Sequence, residues 1–180
     1  MPDFGEGMGR EAFLSAPATE LVRVLTARRQ MIALAESCTA GLAADMIARL
    51  PGASRVLWGS FVTYTADAKT RMLGVPGELI EEHGAVSRPV SLAMAQGALE
   101  RSGASWALSI TGFAGPDGEG VPVGTVWIGL AGPAGAVMRP PAEAKRFLFK
   151  GSRNEVRLAA ATAALKEVLS KILTVEEFLV

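Results

Sequence analysis

Short apolar runs of strand length alternate along this chain with longer segments of helical periodicity, and that alternation admits few folds. Residues 31–35, 56–64, 106–110, 123–130 and 145–150 read as strands, because they are short, largely apolar and bounded by turn residues. Residues 18–29, 40–50, 66–73, 77–83, 89–101 and 152–173 read as helices. In the first of these, Leu21, Val22, Val24 and Leu25 alternate with Glu20, Arg23, Arg28 and Arg29. In the last, Val156, Ala159, Ala160, Ala163, Val168, Leu169 and Ile172 form a buried stripe, as a helix packed on a core requires. Pro51-Gly52, Gly74, Gly84 and Ser102-Gly103 supply stops, and Ser152 with Glu155 three residues on reads as a capping box. Helices interleaved with strands give an α/β layered fold. The last strands follow one another too closely for helical crossovers, so the central sheet is expected to be mixed, flanked by helices. Residues 1–17, rich in glycine and without periodicity, read as a flexible leader. Residues 18–173 read as one domain and 174–180 as a tail.

Composition narrows the chemistry. A chain of 180 residues buries roughly 70% of its unfolded surface in a single core. Eighteen basic residues balance eighteen acidic ones, and no segment gathers Lys and Arg as a phosphate-backbone surface would, so nucleic-acid binding is not expected. The one cysteine, Cys38, allows no internal disulfide, and the one histidine, His83, leaves too few ligands for a zinc cluster. No metal is expected. The first ten residues lack a basic region followed by an apolar run, and no apolar stretch reaches the roughly 20 residues that span a bilayer. A cytoplasmic protein without membrane contact is the expectation. A hydrolytic triad that relies on imidazole would have to use His83.

Three polar clusters interrupt apolar strand ends: Glu36-Ser37-Cys38-Thr39, Tyr64 with Lys69, and the glycine-rich loop that opens at Thr111-Gly112. Ligands of α/β sheets bind beyond the carboxyl ends of strands, so the three exits can converge on one pocket. Ser37 stands on a strand-to-helix turn, beside backbone N–H groups able to hold an oxyanion; it or Thr39 can equally serve as an N-cap. Cys38 is the stronger intrinsic nucleophile but reads also as a small packing residue. For a base, His83 can be a solvated helix-end side chain, whereas Lys69 qualifies if burial lowers its pKa; an exposed helix lysine is the plain alternative. The loop over 111–120 is neither a Walker A nor a dinucleotide fingerprint. Arg153, at the start of the last helix, can hold a phosphate or be simply solvated.

Taken together, A-E-S-C-T-A-G at 35–41, G-S-F-V-T-Y-T-A-D-A-K at 59–69, L-G-V at 73–75, H-G-A-V-S at 83–87, S-I-T-G-F-A-G-P-D-G at 109–118 and P-V-G-T-V-W at 122–127 resemble the C-terminal domain family of the competence-damage protein CinA. The resemblance covers about residues 18–173, and the leader is unlike the family's larger N-terminal domain. The family's stand-alone members include nicotinamide-nucleotide amidases. The resemblance therefore implies hydrolysis of the carboxamide of nicotinamide mononucleotide, giving nicotinate mononucleotide and ammonia in pyridine-nucleotide salvage.

Carried onto this chain, the resemblance makes Ser37 the nucleophile, Lys69 the general base and Tyr64 the tyrosine that shapes this dyad. It places Glu36, Cys38, Thr39, Gly41, Thr111, Gly112 and Arg153 at substrate or oxyanion positions. It implies no cofactor, and family members commonly form homo-oligomers. Two positions depart from the family pattern: Ala40 stands where a second glycine is frequent, and Ser152 where an aspartate commonly precedes the arginine. Two other readings follow from the same residues, a non-catalytic nucleotide- or partner-binding protein linked to competence or DNA damage, and a Cys38 enzyme with His83 as base.

Overall fold

The structure is a computed structural model that describes residues 5–115, 120–133 and 142–176, with side chains from 16 to 174 within them. In chain order its elements are α1 (Gly5–Arg28), β1 (Ile32–Glu36), α2 (Leu42–Ala48), β2 (Leu57–Val62), α3 (Ala66–Leu73), α4 (Gly77–His83), α5 (Arg88–Ser102), β3 (Trp106–Gly112), β4 (Thr125–Ala131), β5 (Glu143–Leu148) and α6 (Arg153–Glu176). The expected α/β class and the mixed sheet are both present. The five strands lie in the order β2-β1-β3-β4-β5. β1 runs parallel to β2 and to β3, whereas β4 runs antiparallel to β3 and to β5. Among the described residues no helix lies between sequential β3, β4 and β5, and short connections of this kind return the chain antiparallel.

Side-chain alternation along the strands assigns the two faces. Ile32 and Leu34 of β1, Trp106, Leu108 and Ile110 of β3, and Val126, Ile128 and Leu130 of β4 join a core with α1, α2 and α6. The opposite face carries Ala35, Ala107 and Ala131, packed with Val90, Met94, Ala95 and Ala98 of α5. Small residues on that face let α5 lie close to the strands. At Gly129 a Cβ would stand 2.5 Å from Ser109 Oγ and 2.6 Å from the Ser91 carbonyl oxygen, so no side chain fits there.

Most helix ends follow their sequence signals. α3 stops at Gly74, whose φ of 71° is the left-handed conformation that glycine adopts freely. Glu155 accepts from the Ser152 N–H at 2.8 Å, half of the expected capping box; the Ser152 hydroxyl donates to the same carboxylate at 2.7 Å rather than accepting from the backbone. α1 differs. It begins at Gly5, where residues up to 17 read as a structureless leader, because an established helix gains one hydrogen bond for each residue that extends it. The first four residues of that expected leader and residues 177–180 of the expected tail lie outside the described residues; α6 takes up 174–176. No helix among the described residues is long and apolar enough to cross a membrane.

The topology makes a crevice at the exit of β1. From β1 the chain moves outward through α2 to β2 on one side, while β3 on the other side leads away to β4. Such a reversal of direction between adjacent strands opens a ligand crevice at their carboxyl ends. Glu36 is level with Val62 of β2 and Ile110 of β3, so the next residues of the three strands, Ser37, Thr63 and Thr111, emerge side by side.

Candidate active site

A cavity of about 370 Å³ opens at this crevice, within the range of small-molecule sites of roughly 300–1,000 Å³. Ser37 and Cys38 form its floor beyond β1; Tyr64, Ala66 and Lys69 come from the β2 exit and α3. Ala85 and Val86 of the α4–α5 connection, the segment from Thr111 to Gly115, and Arg153 complete the wall. The three polar clusters therefore do converge.

Lys69 is the center of the arrangement. It occupies the first turn of α3, which Thr65 caps by accepting from the Ala68 N–H at 3.1 Å. Only 1% of its surface is exposed. Nζ donates to the Thr63 carbonyl at 2.9 Å and lies 3.0 Å from Ser37 Oγ. Among the described residues it has no carboxylate partner. Burial without a counter-charge disfavours the ammonium form and pushes the pKa down to about 8. The exposed-lysine reading is thus excluded, and an amine that is partly neutral near pH 7 touches a serine hydroxyl.

The turn that carries Ser37 is held from two sides. Glu36, fully buried, accepts from the N–H groups of Gly41, Ala43 and Ala44 at 3.0–3.1 Å and from the Ser60 hydroxyl at 3.1 Å. Its carboxylate sits at the amino terminus of α2, where unpaired N–H groups and the helix dipole favour a negative charge. Glu36 therefore anchors the turn and does not line the cavity. Neither do Thr39 and Gly41. The Gly41 N–H is spent on Glu36, and the Ser37 N–H on the Ile110 carbonyl at 2.9 Å. Cys38 lines the cavity whereas Thr39 is fully buried away from it, which narrows the oxyanion donors of the turn to the Cys38 N–H. Ala40 and Gly41 adopt φ of 52° and 91°. The alanine accepts a left-handed conformation that costs an L-residue about 1–2 kcal/mol.

Thr111 and Gly112 do line the cavity, but the Thr111 hydroxyl donates to the Ala85 carbonyl at 2.9 Å. It pins the α4–α5 connection and has no proton left for an oxyanion. Tyr64, half exposed, touches neither Ser37 nor Lys69 through its hydroxyl; that oxygen accepts from Arg153 Nη2 across the cavity mouth. Arg153 has no carboxylate partner among the described residues, so its positive charge faces the opening. Residues 116–119 of the glycine-rich loop lie outside the described residues.

The cysteine–histidine reading fails on geometry. His83 ends α4 with its Nε2 3.6 Å from Glu82 and is absent from the cavity wall. Burial pushes the Cys38 thiol up to about 11, which suppresses the thiolate. The residue that the sequence reading passed over is Arg157. Its Nε donates to the Cys38 carbonyl at 3.1 Å and its Nη2 to the Thr39 carbonyl at 2.9 Å. Its signal was available: it stands four residues after Arg153, on the same side of α6.

A doubly flanked mixed sheet with a buried serine–lysine contact at the exit of its first strand defines a class of α/β proteins whose known members can be compared directly. The CinA C-terminal domain family matches residues 14–172, and the chain belongs to that family. It is 45% identical over 164 residues to a CinA-like protein of Anaeromyxobacter sp. (strain K), covering 90% of this chain and 38% of that protein. It is 44% identical over 160 residues to a CinA-like protein of Chlorobaculum tepidum, covering 87% and 37%. The chain thus spans under two fifths of the length of these relatives. Among solved structures, competence damage-inducible protein A of Klebsiella pneumoniae superposes with a TM-score of 0.82 at 31% identity, over 89% of this chain and 97% of that one. The competence/damage inducible protein CihA of Agrobacterium tumefaciens gives 0.78 at 36% identity, over 87% and 94%.

Proposed function

We propose that this chain is an amidohydrolase that converts nicotinamide mononucleotide to nicotinate mononucleotide and ammonia, with Ser37 as nucleophile and Lys69 as base. The observation that carries the reading is the 3.0 Å contact between Lys69 Nζ and Ser37 Oγ, made by a buried lysine with no counter-charge among the described residues. A serine hydroxyl is a weak nucleophile at neutral pH, and an adjacent neutral amine is one of the few groups that can activate it. The substrate follows from the family resemblance. It is supported by the Arg153 charge at the mouth, suited to a phosphate that does not react, and by a cavity of mononucleotide scale.

In the forward step Ser37 Oγ attacks the carboxamide carbon while its proton passes to neutral Lys69. The Cys38 N–H, on the cavity wall, is the turn's donor for the oxyanion. Protonated Lys69 then gives its proton to the departing nitrogen, ammonia leaves, and the acyl group remains on Ser37. Water attacks this ester, its proton goes to Lys69, and on collapse the proton returns to Ser37 Oγ. Arg153 binds the phosphate and contributes orientation. Among the described residues Lys69 is the one titratable base that touches Ser37, so one amine serves both half-reactions.

Proton NMR of a mixture of the protein and nicotinamide mononucleotide tests the reading. The expected result is nicotinate mononucleotide in one-to-one ratio with ammonia. Heat of binding in a calorimeter with no product would instead identify a non-catalytic nucleotide-binding protein.

A further inference from the structure

Lys69 Nζ is a base with one direction left to use. Besides its bond to Cε, the nitrogen has three positions for protons or a lone pair. One lies along the Thr63 carbonyl at 2.9 Å and one along Ser37 Oγ at 3.0 Å. With 1% of its surface exposed, Lys69 meets open space where it lines the cavity beside Ser37. Its third position therefore opens toward the bond that an acyl group on Ser37 would present. The other polar groups of the wall are committed elsewhere. The Tyr64 hydroxyl is bound to Arg153, the Thr111 proton goes to the Ala85 carbonyl, and burial pushes the Cys38 thiol up to about 11. The proton that a departing nitrogen takes up and the proton that the deacylating nucleophile gives up both pass through Nζ. The molecule that leaves and the molecule that attacks consequently occupy one place. A place that releases ammonia also admits a pyramidal nitrogen, because proton transfer to the one is proton transfer from the other run backwards.

We propose that this chain is also an acyltransferase: the acyl group on Ser37 passes to small neutral amines as well as to water. The nitrogen lone pair attacks the ester carbon and one proton of the amine goes to neutral Lys69. The C–O bond to Ser37 then breaks as Lys69 returns that proton to Oγ. A C–N bond replaces a C–O bond, an amide or hydroxamate leaves, and nothing is oxidised or reduced. The acceptors are amines that are neutral near the working pH, since only these carry a free lone pair. A cationic amine would also bring a second positive charge to a lysine that has no carboxylate partner among the described residues. The inference rests on Ser37 and Lys69 being nucleophile and base, and not on the identity of the amide.

Hydroxylamine, a small amine that is neutral under these conditions, is the probe. Wild type and Ser37→Ala are incubated with nicotinamide mononucleotide and graded hydroxylamine near pH 8, where Lys69 is partly neutral, and the products are separated by liquid chromatography with mass detection. The expected product beside nicotinate mononucleotide is the corresponding hydroxamate, above the level formed with Ser37→Ala. Its ratio to the acid is expected to double with each doubling of hydroxylamine, whichever half-reaction limits turnover. Acid formed by the wild type with no hydroxamate above the Ser37→Ala level would overturn the inference. Phenyl acetate, an uncharged ester without ribose or phosphate, runs in parallel. An inert nucleotide with acetohydroxamate above the Ser37→Ala level overturns the substrate reading alone and supports the transfer. An inert nucleotide with acetate but no acetohydroxamate above that level overturns the transfer. A wild type inert toward both compounds overturns the serine–lysine reading and the transfer together.

Discussion

Lys69 and Ser37 meet at 3.0 Å inside the sheet crevice, and the amine is poised to release its proton near pH 8 because burial, not a neighbouring cation, destabilises its charge. Only the neutral amine can accept the serine proton. The expected kcat/KM profile therefore rises with pH through a single limb with a midpoint near 8 and levels off above it. The pyridinium ring of the proposed substrate places a second positive charge beside the amine, which lowers its pKa further. The limb in kcat is accordingly expected at lower pH than the limb in kcat/KM, and steady-state rates in buffers from pH 6 to 10 measure both.

The same burial makes Lys69 a cost to folding. Its pKa of about 8 in the folded chain stands below the ordinary 10.5, so between those values the unfolded chain binds more protons and stability rises with pH. Below pH 8 the penalty is fully present. Lys69→Met is expected to abolish activity and to raise stability at pH 7 by up to roughly 3 kcal/mol, since each tenfold loss of proton affinity on folding costs about 1.4 kcal/mol. Denaturant unfolding at pH 7 and pH 10.5 should show the gain shrink at the higher pH.

Glu36 bonds three backbone N–H groups and one hydroxyl with a single buried carboxylate. Glu36→Gln retains the shape but turns an NH₂ group toward donors. A loss of about 2–3 kcal/mol is expected, with a fall in kcat because the Ser37 turn shifts; urea melts and steady-state kinetics on the same samples check both effects.

Ala40 bears the strain of a left-handed conformation on an exposed turn. Ala40→Gly removes the Cβ clash of about 1–2 kcal/mol but adds about 0.5–1 kcal/mol of unfolded-state entropy. The balance predicts a gain of up to about 1.5 kcal/mol, seen as a higher Tm by calorimetry.

Gly129 sits against Ser109 and Ser91, which bond each other at 3.0 Å beneath α5. Gly129→Ala must push α5 off the sheet. Overpacking of this kind costs about 1–3 kcal/mol, and a lowered urea midpoint is the expected reading.

Much of the architecture was legible because its signals are local. The bounds of α3 and α4 were readable from Gly74 and Gly84 alone, and a polar break at each of three strand ends pointed to one crevice. What was not legible depends on residues that meet only after folding. Tyr64 faces Arg153 instead of the dyad, across 89 positions of sequence. The Thr111 proton goes to Ala85, a partner that no spacing rule specifies. Glu36, which the resemblance puts at a substrate or oxyanion position, is turned by strand alternation and the start of α2 into the backbone. Burial of Lys69 likewise follows from how α3 packs, which a helix pattern of mostly polar residues does not announce.

The direct test of the serine–lysine account is ammonia release from nicotinamide mononucleotide by wild type, Ser37→Ala and Lys69→Ala, each shown to be folded by circular dichroism. The account predicts turnover by the wild type and a loss of at least about 10³-fold in each variant, since members of one nucleophile–base unit fail nearly alike. Equal rates in all three proteins would contradict it.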